Sequence, residues 1–105
     1  MKRIADLGQL VGSLEERSDA LSTLGYRVRF DLTDGGSILV DATGGRVDVS
    51  TVEGGEADTV MKLSSDNLLK LVQGKLSPMI AFSTGRLKIQ GSQGVAMKLA
   101  GLLDQ

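Results

Sequence analysis

Ile4, Leu7, Val11, Leu14 and Leu21 recur at spacings of three, four, three and seven, and Glu15, Glu16, Arg17 and Asp19 fill the faces between them. That period predicts an amphipathic helix over residues 1–24, with Gly25 placed to end it as a left-handed cap. A two-chain coiled-coil seam needs three or four heptads. The stretch has at most three, so docking on the chain's own sheet is the better reading.

From Tyr26 the period drops to two. Tyr26, Val28, Phe30 and Leu32 point one way and Arg27, Arg29 and Asp31 the other, which predicts a half-buried strand. Thr33-Asp34-Gly35-Gly36 and Thr43-Gly44-Gly45 carry turn chemistry and separate further strands over residues 37–42 and 46–51. These make three consecutive antiparallel strands. A polar, glycine-rich connection over residues 52–56 leads to a fourth strand over residues 57–63, so residues 26–63 hold four strands.

Two short helices are predicted over residues 65–84. Ser64 or Ser65 caps the first, Asp66 sits in its positively charged first turn and Gly74 lies just beyond its end. Ser77 and Pro78 open the second, where a missing N–H costs nothing, and Gly85 closes it. Leu87 and Ile89 alternate with polar neighbours in a fifth strand over residues 86–91. The last helix, over residues 92–103, carries Lys98 as its sole charge and is poorly amphipathic, so it is expected to be covered nearly all round. A tightly docked terminal helix and a helix with a bound apolar ligand on one side both satisfy that requirement.

At 105 residues the chain fits one domain. Surface scaling gives about 5,600 Å² folded against about 16,000 Å² unfolded, enough burial to fold without staples. The absence of Cys and His removes disulfides, thiol nucleophiles, Cys/His zinc sites and imidazole bases. A net charge of −1 disfavours nucleic acid. The longest uninterrupted apolar stretch, Met79-Ile80-Ala81-Phe82, is far below the roughly 18 residues of a membrane span, and no secretory apolar core follows Lys2-Arg3. A soluble, cytoplasmic protein is expected.

The charge is divided. Residues 1–56 hold six basic and ten acidic side chains, net −4, and residues 57–105 hold six basic and three acidic, net +3. Lys70, Lys75, Arg86, Lys88 and Lys98 form a candidate face for phosphate-bearing headgroups, coenzyme A or transient contact with a membrane surface; a solvated rim is the competing reading.

No chemistry-bearing motif stands on its own. Gly91-Ser92-Gln93-Gly94 lacks the third glycine and acidic residue of a dinucleotide loop, Gly74-Lys75 lacks the rest of a phosphate loop, and the GXXG of RNA-binding modules has no basic groove around it. Glu15-Glu16 and Glu53 with Glu56 fall on an exposed helix face and in a polar loop, where nothing raises a carboxyl pKa for acid duty. No catalytic residue, metal site or cofactor is expected.

One segment changes this picture. Gly74-Lys75, the Pro78-initiated helix with Ala81-Phe82, Gly85-Arg86-Leu87-Lys88-Ile89, Gly91-Ser92-Gln93-Gly94 and Ala96-Met97-Lys98-Leu99 follow in an order and spacing that closely resemble the sterol carrier protein 2 family. The likeness covers roughly residues 26–103. It implies an α+β fold: a five-stranded, mostly antiparallel sheet with helices covering one face and an apolar tunnel between the layers. The implied function is non-catalytic carriage of a fatty acid, fatty acyl-CoA, sterol or related lipid. The alternative is an accessory subunit of a lipid or quinone biosynthetic assembly with a vestigial or intermediate-holding cavity. The implied lining is Phe30, Met61, Leu69, Val72, Met79, Ile80, Phe82, Ile89, Val95, Met97, Leu99 and Leu102. Three departures stand out. The N-terminal helical part is shorter, Ser83 replaces a second aromatic after Phe82, and Leu103-Asp104-Gln105 is no peroxisomal signal.

Overall fold

The alternating segments pair into one sheet in a computed structural model that describes residues 7–52 and 55–103. Its strands are β1 (Arg27–Leu32), β2 (Ser37–Asp41), β3 (Asp48–Val52), β4 (Thr59–Leu63) and β5 (Lys88–Gly91), in the order β3-β2-β1-β4-β5. Every neighbouring pair is antiparallel except β1 with β4, which run parallel with Phe30 opposite Met61. The sheet is mixed and mostly antiparallel, and with its helices gives an α+β fold.

The period-2 pattern decides which side is buried. Val28, Phe30 and Leu32 of β1, Ile38 and Val40 of β2, and Met61 and Leu63 of β4 all lie on the inner face and are buried. Buried Thr59 keeps its place on that face by donating its hydroxyl to the Gln90 carbonyl at 3.1 Å. Tyr26 departs from the alternation: it precedes β1 and is exposed.

Five helices follow from the caps and stripes: α1 (Leu7–Glu15), α2 (Ser18–Leu21), α3 (Ser65–Val72), α4 (Pro78–Ser83) and α5 (Gln93–Leu103). The single helix predicted up to residue 24 is in two pieces over its described part. Arg17 N–H bonds to the Leu14 carbonyl in a tightened turn, and α2 restarts from there. The break has a packing reason, since α1 lies against α3 and β3 whereas α2 lies against α5, and one straight rod cannot serve both. Residues 1–6, including Ile4, lie outside the described residues. Ser64 caps α3 by accepting the Asn67 N–H at 3.1 Å. Asp34, in the β1–β2 turn, accepts both the backbone N–H and the hydroxyl of Ser65, pinning that turn to the helix start.

The outer face of the sheet carries a polar clasp. Arg29 forks onto Asp31 through two N–H donors at 2.8 and 3.1 Å and donates to the Gly55 carbonyl at 2.6 Å. Ser37 donates to the same carboxylate at 2.9 Å. The clasp joins β1, β2 and the segment leading to β4. Hydrogen bonding from Arg29 holds the Asp31 carboxyl below its ordinary value of 3.8, against the opposing effect of desolvation, with Ser37 and Lys62 adding to the lowering.

A carboxyl lowered by folding stabilises the folded state above the unfolded-state value, and that contribution is lost as pH falls through the folded value. Asp31→Asn is therefore expected to cost about 1 kcal/mol at neutral pH. The gap to wild type should narrow as pH falls below the ordinary carboxylate range, which urea melts at neutral and acid pH will read. Gly91 makes a second demand. Its φ is +96° and a Cβ there would sit 2.9 Å from the Asp58 carbonyl oxygen, so Gly91→Ala should destabilise by roughly 1–3 kcal/mol in the same assay.

Candidate apolar site

The helix α4 is held differently from the others. Of its six residues only Ala81 is buried, while Leu76 before it and Leu87 after it are anchored in the core. Its far end is closed tightly, with the Arg86 and Leu87 N–H groups both donating to the Ala81 carbonyl and Gly85 at φ +80°. The helix is thus a strap fixed at both ends and seated on one methyl group. Its other apolar side chains face outward: Met79 is 64% exposed, Ile80 54% and Phe82 47%.

Beside it runs α5, which buries Val95, Ala96, Leu99, Ala100 and Leu103 against β4, β5 and α2. The expectation that α5 is covered nearly all round is corrected here. Gly94, Met97, Lys98 and Gly101 are exposed, because the elements packed on α5 reach only one side of it. Between the two helices lies an open groove of about 260 Å³, lined by Ser77, Pro78, Met79, Met97, Ala100 and Gly101. A wider depression of about 500 Å³ near Arg27, Thr43, Glu56, Ala57 and Asp58 is polar. Its Arg27 is already engaged, pairing with Asp41 at 3.0 Å and donating its backbone N–H to Asp58 at 2.8 Å.

The candidate lining separates into three groups. Phe30, Met61, Val72, Val95 and Leu99 are buried in the core cluster. Leu69, Ile89 and Leu102 are partly buried against it. Met79, Ile80, Phe82 and Met97 are exposed, and of these Met79 and Met97 meet in the groove. Ala100, Gly101 and Pro78 line it without having been singled out. The available signal was Gly101 itself, since a glycine inside a helix costs stability unless something needs the room.

The five candidate cations do not form one face. Lys88 stands opposite Lys62 in the β4–β5 register, on the outer side of the sheet. Lys70 pairs with Asp66 at 3.2 Å along α3. Lys75 and Arg86 flank the two ends of α4, and Lys98 adjoins Met97 on α5 with its ammonium 5.5 Å from the Tyr26 ring centroid. Among the described residues, no group of three or more His, Cys, Asp and Glu is arranged to hold a metal ion. No helix among them is long and apolar enough to cross a membrane.

The model of the SCP-2 sterol transfer family matches residues 5–104. The chain is 37% identical over 82 residues to hydroxysteroid dehydrogenase-like protein 2 of Bos taurus, a match covering 76% of this chain and 19% of that protein. It is 33% identical over 93 residues to sterol carrier protein 2 of Gallus gallus, covering 84% of this chain and 17% of the relative. The chain thus spans less than a fifth of the length of both relatives. The apo form of sterol carrier protein 2 from Yarrowia lipolytica superposes with a TM-score of 0.67 at 25% identity, over 90% of this chain and 83% of that one.

A Cβ added at Gly101 meets nothing within 4 Å. Gly101→Leu should therefore leave the fold intact and raise stability by up to about 1 kcal/mol through helix propensity. A thermal melt reads this, and a marked loss of stability would mean the groove is not open there.

Proposed function

Since the chain belongs to the SCP-2 sterol transfer family, we propose that it is a non-catalytic lipid carrier and that its ligand's hydrocarbon tail enters between α4 and α5. The observation that carries this reading is the apolar groove between Met79 and Met97, floored by Ala100 and Gly101. The ligand is a fatty acid, fatty acyl-CoA, sterol or related apolar molecule.

The groove's 260 Å³ lies below the roughly 300–1,000 Å³ of a site that encloses a drug-sized ligand. A full-length chain therefore requires α4 to lift. That motion is cheap for a helix of which only Ala81 is buried. Each methylene taken out of water contributes about 0.8 kcal/mol, so fifteen give about 12 kcal/mol. Association and ordering costs of roughly 4–15 kcal/mol offset much of that. At most about 8 kcal/mol is left, which corresponds to reversible binding with a Kd of about 1 μM. The two methionines suit a wall that must fit tails of different shape, because an unbranched thioether adapts at little cost. The lining offers few hydrogen-bonding groups, so selection is by length and shape.

The small volume of the groove also favours a second reading, an accessory subunit whose cavity is vestigial and whose outer surface binds partner enzymes. Titration with a fluorescent fatty acid and native mass spectrometry of the purified protein separate the two. A carrier is expected to retain an acyl lipid or bind the probe with displacement by unlabelled fatty acid. Gly101→Phe, which fills the groove, and Met97→Glu, which charges it, should each weaken binding at least tenfold with an unchanged melting profile. An empty wild-type protein that binds no probe yet forms stable complexes in a pull-down would replace the carrier reading with the subunit one.

A further inference from the structure

The two edges of the sheet are finished differently. At one, β5 is four residues long, carries Lys88 and ends at Gly91 with a φ of +96°, features that discourage a further strand. At the other, β3 has none of them. Its residues, Asp48-Val49-Ser50-Thr51-Val52, include three that are β-branched and no Lys, Pro or Gly. The core is thinly covered here, since Leu7 and Val11 of α1 and Val47 and Val49 at β3 are only partly buried. By Gly55 the chain has already left this edge, because the Gly55 carbonyl accepts from Arg29 of β1.

The hydrogen bonds of β2 show which groups of β3 are open. The Leu32 N–H donates to the Gly36 carbonyl and the Ala42 N–H to the Tyr26 carbonyl, so the even-numbered residues of β2 bond toward β1. Ser37, Leu39 and Asp41 therefore bond toward β3, where Val52, Ser50 and Asp48 stand opposite them. The backbone groups of Val49 and Thr51 point away from the sheet, and among the described residues nothing bonds to them. An open edge of this kind is a template for another strand. The sequence of β3 suits a second copy of itself. In an antiparallel pair centred on Ser50, Val49 of each copy stands opposite Thr51 of the other, so the outward groups meet and two β-branched residues pair on the inner face. Asp48 falls opposite Val52, with no like charges opposed, whereas a parallel in-register pair would set Asp48 beside Asp48.

We infer that β3 is a homodimerisation edge, at which two copies of the chain join their sheets across a two-fold axis through Ser50. The pairing is closed, because it uses the open edge of each copy and leaves only the blunted β5 edges outside. It stands apart from the carrier reading: α5, one wall of the groove, packs on β4 and β5, away from the seam.

Sedimentation velocity over a range of concentrations tests it. The expected result is a reversible, concentration-dependent shift from one chain to twice its 11.0 kDa, with no larger species. Hydrogen exchange read by NMR should slow at the Val49 and Thr51 amides as the dimer fills. Thr51→Pro removes an outward N–H that bonds to nothing in the described part of the chain, and should abolish the dimer. Ser50 opposes itself across the axis and its side chain is exposed. Ser50→Lys and Ser50→Glu should therefore each weaken association about fivefold or more, and an equal mixture of the two should restore it. A single 11.0 kDa species at every concentration, species larger than a dimer, or association that the Thr51 and Ser50 variants leave unchanged would overturn the inference. So would a mixture that associates no better than its components, or Val49 and Thr51 amides already protected in the monomer. The mixing experiment decides the matter even if Thr51→Pro fails to fold. Fatty-acid titration of the same variants reports separately on the groove, so a protein that binds the probe as a strict monomer sinks this inference alone.

Discussion

Covering the inner face of the sheet is the constraint on which the rest of this structure depends. β1, β2 and β4 present a contiguous apolar surface around Phe30, Ile38 and Met61, and water must be kept from it. The chain meets that need with leucines from short helices: Leu10 and Leu14 of α1, Leu21 of α2, Leu68 and Leu71 of α3, Leu99 and Leu103 of α5. The break at Arg17 belongs to the same economy, since it lets two segments of one helical run cover separate parts of the face. From α4 the core takes only Ala81.

That surplus links packing to function. A helix whose anchoring is at its ends can present Met79, Ile80 and Phe82 to the outside without weakening the core. The opposite wall is built the other way, with small residues, Ala100 and Gly101, leaving the space that larger ones would have filled. The outer face is meanwhile tied by the Arg29–Asp31–Ser37–Gly55 clasp, which keeps β1, β2 and the approach to β4 together whatever α4 does.

Most of the elements were legible in the chain because their signals are local. Alternation around Phe30, the Ser64 cap, Pro78 after Ser77, and glycines at residues 25, 74 and 85, all with φ near +80°, need no knowledge of distant neighbours. The site was legible only in part. Met79 and Met97 were named among twelve candidates, yet hydrophobicity alone does not distinguish Phe30, sealed in the core, from Phe82, turned to solvent on α4. Lys88 and Lys98 likewise read as equals until register set one on the outer side of the sheet and the other above the Tyr26 ring.

What the sequence determined by itself was therefore the five strands and the helices other than the break at Arg17, the inward face of β1, and the imbalance between an acidic first half and a cationic second half. What only the tertiary structure decided was which apolar side chains have neighbours. Burial is a property of the assembled layers: the parallel pairing of β1 with β4 and the turn at Arg17 set leucines of α1, α2, α3 and α5 on the sheet, and no local pattern in residues 78–83 records that the core takes only Ala81 from α4.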